Sequence, residues 1–325
     1  MILLCFGTRP EWLKIKPLVK ILDKNQYKLL FTGQHKDLLK HIKPDYEITI
    51  KQGSNRLDSV ISSCMLQFPE GDFDSVLVQG DTASAFACAL AAYNRKLKIY
   101  YMEAGLRSYN LDHPYPEEAY RQMIARISDV NFCPTKNSQL NLINEKVSGS
   151  TFSVGNTVLD NLIEYKDKCE YTDKVLVTLH RRENHHIMDK WFDEVNQLAK
   201  DFGGLNFILP IHPNPNVQKH KHLLTHVNIV DPMSHDELLN VLCKSKLVIS
   251  DSGGLQEEGS FFNKKVIVCR EVTERPEAIK TGHLHICKSP KDLPNLFHNV
   301  VKNYYINNIC PYGDGYASQK IKELL

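Results

Sequence analysis

The sequence predicts an α/β protein of two similar halves, each built on a parallel sheet covered by helices on both faces. Short β-rich apolar runs alternate with helical patterns along the chain. That rhythm occurs twice, as expected of parallel strands joined by crossover helices. The length of 325 residues, with 42% hydrophobic content, is enough for two cores of ordinary size.

Taken in order, residues 1–6, 27–32, 75–79 and 98–102 read as buried strands, with helical segments near 11–24, 56–67, 82–94 and 117–128 between them. A second series starts at Lys174-Val-Leu-Val-Thr-Leu179 and runs through 206–211, 247–250 and 265–269. The polar turn Gly155-Asn-Thr157 follows the first series and marks the expected divide, giving domains 1–156 and 157–315. Neither low-complexity sequence nor a short-period repeat interrupts this plan.

Net charge is +2, from 40 basic and 38 acidic residues that are interspersed, which argues against the one-sided basic surface of a nucleic-acid binder. Positive charge for an anionic ligand must be local. Nine cysteines lie without CxxC spacing, mostly inside apolar runs, and read as buried free thiols of a reducing compartment. Met1-Ile-Leu-Leu-Cys-Phe6 has no basic leader and runs straight into Gly7-Thr-Arg-Pro10, so it reads as a core strand and not a signal peptide. No stretch of about 18 apolar residues occurs. The expectation is a cytoplasmic protein with no membrane and no nucleic-acid partner.

The unusual residues fall at strand ends, where an open α/β sheet places its ligand chemistry. Gly7-Thr-Arg9, Gln34-His35, Gly80-Asp81 and Glu103 follow the first four strands. In the second half His180-Arg-Arg182, His212 and Asp251-Ser-Gly-Gly254 do the same. A functional cleft between the halves is the expectation, since chance would scatter polar residues over both sheet edges.

Gly253 and Gly254 let backbone approach a ligand closely, and the helix after them offers free N–H groups and a positive dipole end, the makings of a phosphate cradle. The alternative is an ordinary helix start capped by Ser252. Gly7-Thr-Arg-Pro-Glu11 is similarly open: Pro10 suits a first turn, and Arg9 is either a phosphate ligand or a solvated cation. Two such places favour a diphosphate. Without GxGxxG after the first strand and without GxxxxGK[ST], neither a nicotinamide dinucleotide nor a P-loop nucleotide is supported, so no cofactor is expected. His180-Arg-Arg-Glu-Asn-His-His186 lacks HExxH spacing and a Cys/His ladder, and no metal is expected. His212 sits in the Pro-bracketed turn Pro210-Ile-His-Pro-Asn-Pro-Asn216, which aims a ring well, although an isolated histidine is more often structural.

Asp81 and Glu103 end apolar strands, where burying a carboxylate is costly unless function or pairing requires it. Glu117 follows Pro116 at a helix start, where the dipole favours a carboxylate whether or not it reacts, and Arg121 stands one turn on as its candidate partner. Three carboxylates together favour proton transfer on a small molecule.

These residues are recognisable as a set. Gly7-Thr-Arg-Pro-Glu11, Gln79-Gly-Asp-Thr82, Glu103-Ala-Gly-Leu-Arg107, Pro116-Glu-Glu118, Gly155-Asn-Thr157, His180-Arg-Arg-Glu183, His212-Pro-Asn-Pro-Asn216, Asp251-Ser-Gly-Gly-Leu-Gln-Glu-Glu258, Thr273-Glu-Arg-Pro-Glu277 and Pro311-Tyr-Gly-Asp-Gly315 occur in the order of the non-hydrolysing UDP-N-acetylglucosamine 2-epimerase family, which the chain resembles over essentially its full length. The resemblance implies a glycosyltransferase-B-like architecture of two Rossmann-like domains, with residues 316–325 supplying a final helix that returns to the first. It also implies a homodimer. The implied reaction is anti elimination of UDP to 2-acetamidoglucal, followed by re-addition with C2 inverted. Acid/base and charge-stabilising roles fall to Asp81, Glu103 and Glu117, with His180 near the UDP phosphates or C1. UDP and substrate contacts fall to Arg9, Lys14 and Arg121 in the first domain and to His212, Ser252, Gly253, Gly254, Glu258 and Arg275 in the second.

The chain departs from the family pattern in several places. Gln34-His-Lys-Asp37 stands for a Gln-His-x-x-Gln segment, and Ser63 for an Arg, that together hold an activating second UDP-N-acetylglucosamine in many members; weak or absent activation is expected. Tyr120 replaces a usual Asn, and Leu238 stands where an aromatic is expected against uracil. Glu103-Ala-Gly continuing as Leu106-Arg107 favours the D-gluco sugar over a 6-deoxy-L-hexosamine, and argues against a hydrolysing epimerase. A UDP-sugar-dependent glycosyltransferase would need an acceptor pocket and would not need the three carboxylates; a non-catalytic UDP-sugar-binding protein would exchange no hydrogen at C2.

Overall fold

The computed structural model describes residues 1–34, 42–273 and 275–325, and in it contacts group the chain into two compact units, Met1–Asn161 with Gly313–Leu325, and Leu162–Tyr312. His35, Lys36 and Asp37, on which part of the activator expectation rests, lie outside the described residues.

The first unit carries a seven-stranded sheet in the order β3-β2-β1-β4-β5-β6-β7, with every pairing parallel. Its strands are β1 (Ile2–Phe6), β2 (Tyr27–Phe31), β3 (Tyr46–Glu47), β4 (Ser75–Gln79), β5 (Lys98–Met102), β6 (Val130–Cys133) and β7 (Ser150–Ser153). Alternate side chains go to opposite faces. Leu3, Cys5, Leu30, Val76, Val78, Ile99 and Tyr101 form one buried layer, and Leu4, Phe6, Leu29, Phe31, Leu77, Tyr100 and Met102 the other. Both layers are covered, which is why these strands are apolar runs and not alternating ones. Helix α1 (Arg9–Ile21) adds Ile15 and Leu18 to the second layer. Helices α2 (Arg56–Leu66), α3 (Ala83–Asn94), α4 (Glu117–Ile127) and α5 (Lys136–Asn144) add Val60, Ala89, Ile124 and Leu142 to the first. Half of α3 is alanine, and all six of these alanines are buried.

The turn at 157–161 stays with this unit. Thr157 Oγ1 donates to the Lys14 carbonyl at 2.7 Å and Asn161 Nδ2 to the Leu13 carbonyl at 2.9 Å, tying the turn to α1. Asp160 in turn accepts the backbone N–H groups of Ala317 and Ser318 at 3.1 and 2.7 Å, which fixes the start of the last helix, Ala317–Lys322, whose Ile321 is buried in the second layer.

The second unit carries a six-stranded parallel sheet, numbered in chain order β8 (Lys174–Thr178), β9 (Asn206–Pro210), β10 (Asn228–Val230), β11 (Ser245–Ser250), β12 (Lys265–Val268) and β13 (Leu284–Ile286), in the order β10-β9-β8-β11-β12-β13. After α6 (Ile163–Lys166) comes α7 (Met188–Asp201), whose Trp191, Phe192, Val195 and Leu198 repeat at helical spacing and pack into a core with Val175, Val177, Leu247 and Ile249. α8 (Pro215–Gln218), α9 (His235–Cys243), α10 (Gly253–Phe261), α11 (Glu277–Lys280), α12 (Leu293–Lys302) and α13, the last helix described above, complete the list. All nine cysteines are free thiols, and seven of them are buried. Among the described residues no helix is long and apolar enough to cross a membrane.

Candidate functional site

In the first unit the site grows out of the carboxyl ends of β1, β4 and β5. Thr8 caps α1 in the reciprocal arrangement with Glu11 that the Thr-x-x-Glu spacing encodes. Glu11 does more than cap. Its buried carboxylate accepts the N–H groups of Gly7 and Thr8 at 2.7 and 2.6 Å and the Thr82 hydroxyl at 2.5 Å, so it joins the loop after β1 to the loop after β4. Burial pushes the Glu11 carboxyl up, and these donors act in the opposite sense. Gly7 is required by space: a Cβ there would lie 2.1 Å from Thr32 Oγ1 and 2.6 Å from Ser84 Oγ. Arg9 opens α1 and is exposed.

Asp81 stands between β4 and α3 and is gripped by Arg121 of α4, whose Nε and Nη2 lie 2.7 and 2.6 Å from Oδ2. Glu103 follows β5 with φ +64°, a left-handed conformation that a non-glycine residue adopts at a cost and that is often found at functional sites. Its carboxylate is bonded by Lys14 of α1 and by Gln79 of β4, and the pair with Lys14 is mostly shielded, at 18% and 12% side-chain exposure. Glu117 is half-buried at the start of α4, and its Oε2 is buried with no hydrogen-bond partner. Asp81, Glu103, Lys14 and Arg121 thus gather at one sheet edge. Lys14, Gln79, Glu103 and the backbone at Gly155-Asn156-Thr157 line a small cavity there.

The pairing of Arg121 with Glu117 does not form. Arg121 bonds Asp81, and its Nη1 lies 3.3 Å from Glu118, whose side chain is fully buried on the inner side of the same helix turn while Glu117 points elsewhere. Glu118 was not singled out by sequence reasoning, although its i,i+3 spacing to Arg121 was visible.

In the second unit Asp251, fully buried at the end of β11, pins the loop after β8. It accepts the N–H groups of His180 (2.9 Å) and Arg181 (2.9 Å) and the Asn184 amide (3.0 Å). Asn184 also bonds the Cys269 carbonyl and accepts from Trp191, so the loop is anchored in the core. The His180 ring stacks on that of His212, with centroids 4.9 Å apart and 16° between planes. Burial holds His180 below the ordinary histidine range, with His212 and Arg181 acting in the same sense against Asp251. His212 accepts the Asn214 N–H on Nδ1 at 3.1 Å, the rigid turn expected of its prolines.

Ser252 stands at the N-cap position of α10, yet its hydroxyl makes no capping hydrogen bond. The simple helix-cap reading is therefore not what Ser252 does. Gly253 is buried, and a Cβ on it would lie 3.2 Å from Arg275 Nη1 and 3.4 Å from Arg181 Nη2. Gly254 is exposed, and a Cβ on it would meet nothing within 4 Å. Two cations and the open start of a helix therefore meet at Gly253, an arrangement suited to a diphosphate. Arg275 is held by Glu257 at 2.7 Å. Glu258 is buried and bonded to His235 Nε2 at 2.8 Å, so one of its carboxylate oxygens is already engaged.

The family model for UDP-N-acetylglucosamine 2-epimerase matches residues 20–325. The UDP-N-acetylglucosamine 2-epimerase of Campylobacter jejuni is 36% identical over 379 residues, an alignment covering 100% of this chain and 97% of the relative. Among solved structures, UDP-GlcNAc 2-epimerase from Neisseria meningitidis bound to UDP-GlcNAc is 33% identical with a TM-score of 0.83, covering 99% of this chain and 98% of that one. MurG of Acinetobacter baumannii, 13% identical with a TM-score of 0.62 and coverage of 99% and 98%, bears on the fold alone. The chain has a two-domain, glycosyltransferase-B-like α/β fold and belongs to the UDP-N-acetylglucosamine 2-epimerase family.

Proposed function

We propose that the protein is a non-hydrolysing epimerase that interconverts UDP-N-acetylglucosamine and UDP-N-acetylmannosamine. The observation that carries this reading is the pair of carboxylates at one sheet edge, Asp81 held by Arg121 and Glu103 held by Lys14 and Gln79, together with Glu117 at the start of α4, whose Oε2 is buried without a hydrogen-bond partner. The C2 proton of a sugar is too weakly acidic for a carboxylate to remove unaided. As the C1–O bond breaks and its electron pair leaves with UDP, C2 becomes acidic. A carboxylate then takes the proton, and the C2–H electron pair becomes the C1=C2 bond of 2-acetamidoglucal. In return a UDP oxygen attacks C1, and C2 is protonated on the opposite face. Two proton-handling groups on opposite faces are needed, and Asp81, Glu103 and Glu117 supply them.

The second unit is assigned to UDP. Ser252 with the N–H groups at the start of α10 takes the diphosphate as charge builds on it, together with Arg275. His180, kept neutral by burial, donates or accepts a hydrogen bond beside the leaving oxygen, with His212 backing its ring. Glu258 takes ribose hydroxyls on its remaining lone pairs. Arg9 of the first unit adds charge for the phosphates. The reading includes a cytoplasmic homodimer that serves polysaccharide biosynthesis and is not strongly activated by its own substrate. Ser63 supports the last point, because its buried Oγ accepts the Lys51 N–H at 2.9 Å and offers no cation to a second diphosphate.

The test is incubation with UDP-N-acetylglucosamine alone. Formation of the manno epimer without acceptor, with chelator present, is expected. Turnover only when a sugar acceptor is added would make the protein a transferase and overturn the reading.

A further inference from the structure

Glu118 lies one residue beyond the carboxylate assigned to the reaction, and its side chain is fully buried. A buried carboxylate is retained at a cost unless its lone pairs are filled. Here they are filled by groups from two places. Oε2 accepts the Ser108 N–H at 2.9 Å and lies 3.3 Å from Arg121 Nη1; Oε1 accepts the Tyr109 N–H at 3.2 Å and the Gln122 amide at 2.9 Å. Burial disfavours its charge, but the N–H groups of Ser108 and Tyr109, the Gln122 amide and Arg121 outweigh that and hold the carboxyl below the usual carboxylate range.

The two places are connected to the carboxylates of the reaction. Arg121 is the cation that grips Asp81. Ser108 and Tyr109 follow Glu103-Ala-Gly-Leu-Arg107, and Tyr109 has φ +57°, a left-handed conformation that needs outside support in a bulky residue. Arg107 in that segment is pinned from the other side by Glu145 at 2.7 and 2.9 Å. One anion therefore orients the guanidinium on Asp81 and fixes the backbone that continues from Glu103.

The geometry points to Glu118 as a positioning residue for the reaction proposed above: it sets Arg121 against Asp81 and holds the chain after Glu103 without touching substrate. The inference rests on that reading. Arg121 is shared between Asp81 and Glu118. Removing the second anion leaves the guanidinium free to follow Asp81 alone, with two backbone N–H groups released from the loop.

The test is a double-mutant cycle read in turnover. Glu118→Gln should lower kcat roughly 10–100-fold, the size of one lost charge-assisted hydrogen bond in a shielded place. UDP affinity should change less than about threefold, because most of the groups assigned to UDP belong to the other unit. In an Asp81→Asn background the same change should cost little more, since both act through one contact. Glu118→Asp, which keeps the charge, should recover part of the loss and serves in the same cycle if the Gln variant does not fold. A kcat within twofold of wild type, or losses that multiply in the double variant, would overturn the inference. Inactivity of the wild-type protein would instead count against the proposed function, so the two failures are distinct.

Discussion

Gly254→Ala separates a glycine kept for folding from one kept for a ligand. Gly254 is the second residue of α10, is exposed, has no positive φ, and has nothing within 4 Å of where a Cβ would stand. Nothing in the protein forbids alanine. Alanine gains helix propensity and narrows the unfolded ensemble, so the variant should be about 0.5–1 kcal/mol more stable. For a unit of this size that raises the melting temperature by roughly 1–4 °C. The same methyl group stands where a diphosphate would lie against the start of the helix. Losing one charge-assisted hydrogen bond there, about 1.5–3 kcal/mol, weakens UDP binding roughly 10–100-fold. Calorimetric titration with UDP and a thermal melt on the same sample measure both effects. Stability up with affinity down is the expected pair; unchanged UDP affinity would refute the placing of the diphosphate at α10.

Three further outcomes are expected. Asp81→Asn, Glu103→Gln and Glu117→Gln should each lower turnover by about 10² or more, with UDP affinity largely kept, in initial-rate and titration measurements; wild-type turnover in two of them would defeat the assignment. Ser252→Ala should change the melting temperature little, since its hydroxyl caps nothing and the usual cap loss of about 1 kcal/mol does not apply, while weakening UDP binding. His283 is buried, and burial with the nearby Lys265 pushes it down to about 4 from 6.5, so the unfolded chain takes up a proton that the folded chain refuses between those values. Stability present above pH 6.5 should therefore fall by about 3 kcal/mol as pH drops to about 4, and denaturant titrations of His283→Leu should show a flatter slope over that window.

How much of this was legible in the sequence depended on what each residue faces. β1, β4 and β5 are covered on both sides, so each is a near-continuous apolar run, and the expected strands agree with the observed ones to within a residue. The edge strands escaped, and so did Val130–Cys133. Ser150–Ser153 shows no apolar run because its side chains are exposed or half-exposed, and Tyr46–Glu47 and Asn228–Val230 are too short to show a period. At the site, Asp81 and Glu103 stood out as carboxylates at the ends of apolar strands, and the fold brings the two to one sheet edge. The partners of the charges did not show. Lys14 and Glu103 are 89 residues apart and Arg121 and Asp81 are 40 apart, so their pairing is a product of the sheet order and not of local spacing. Local spacing misled in one place, offering Glu117 to Arg121 where burial gives it Glu118.

The central claim is that carboxylates of this chain exchange the proton on C2 while UDP leaves and returns at C1. NMR of UDP-N-acetylglucosamine incubated with the enzyme in D2O, with no added metal or nicotinamide, tests it most directly. The account predicts deuterium at C2 in both epimers and an equilibrium mixture of the two. Epimer formed with its C2 hydrogen retained, or no reaction of this sugar at all, would contradict it.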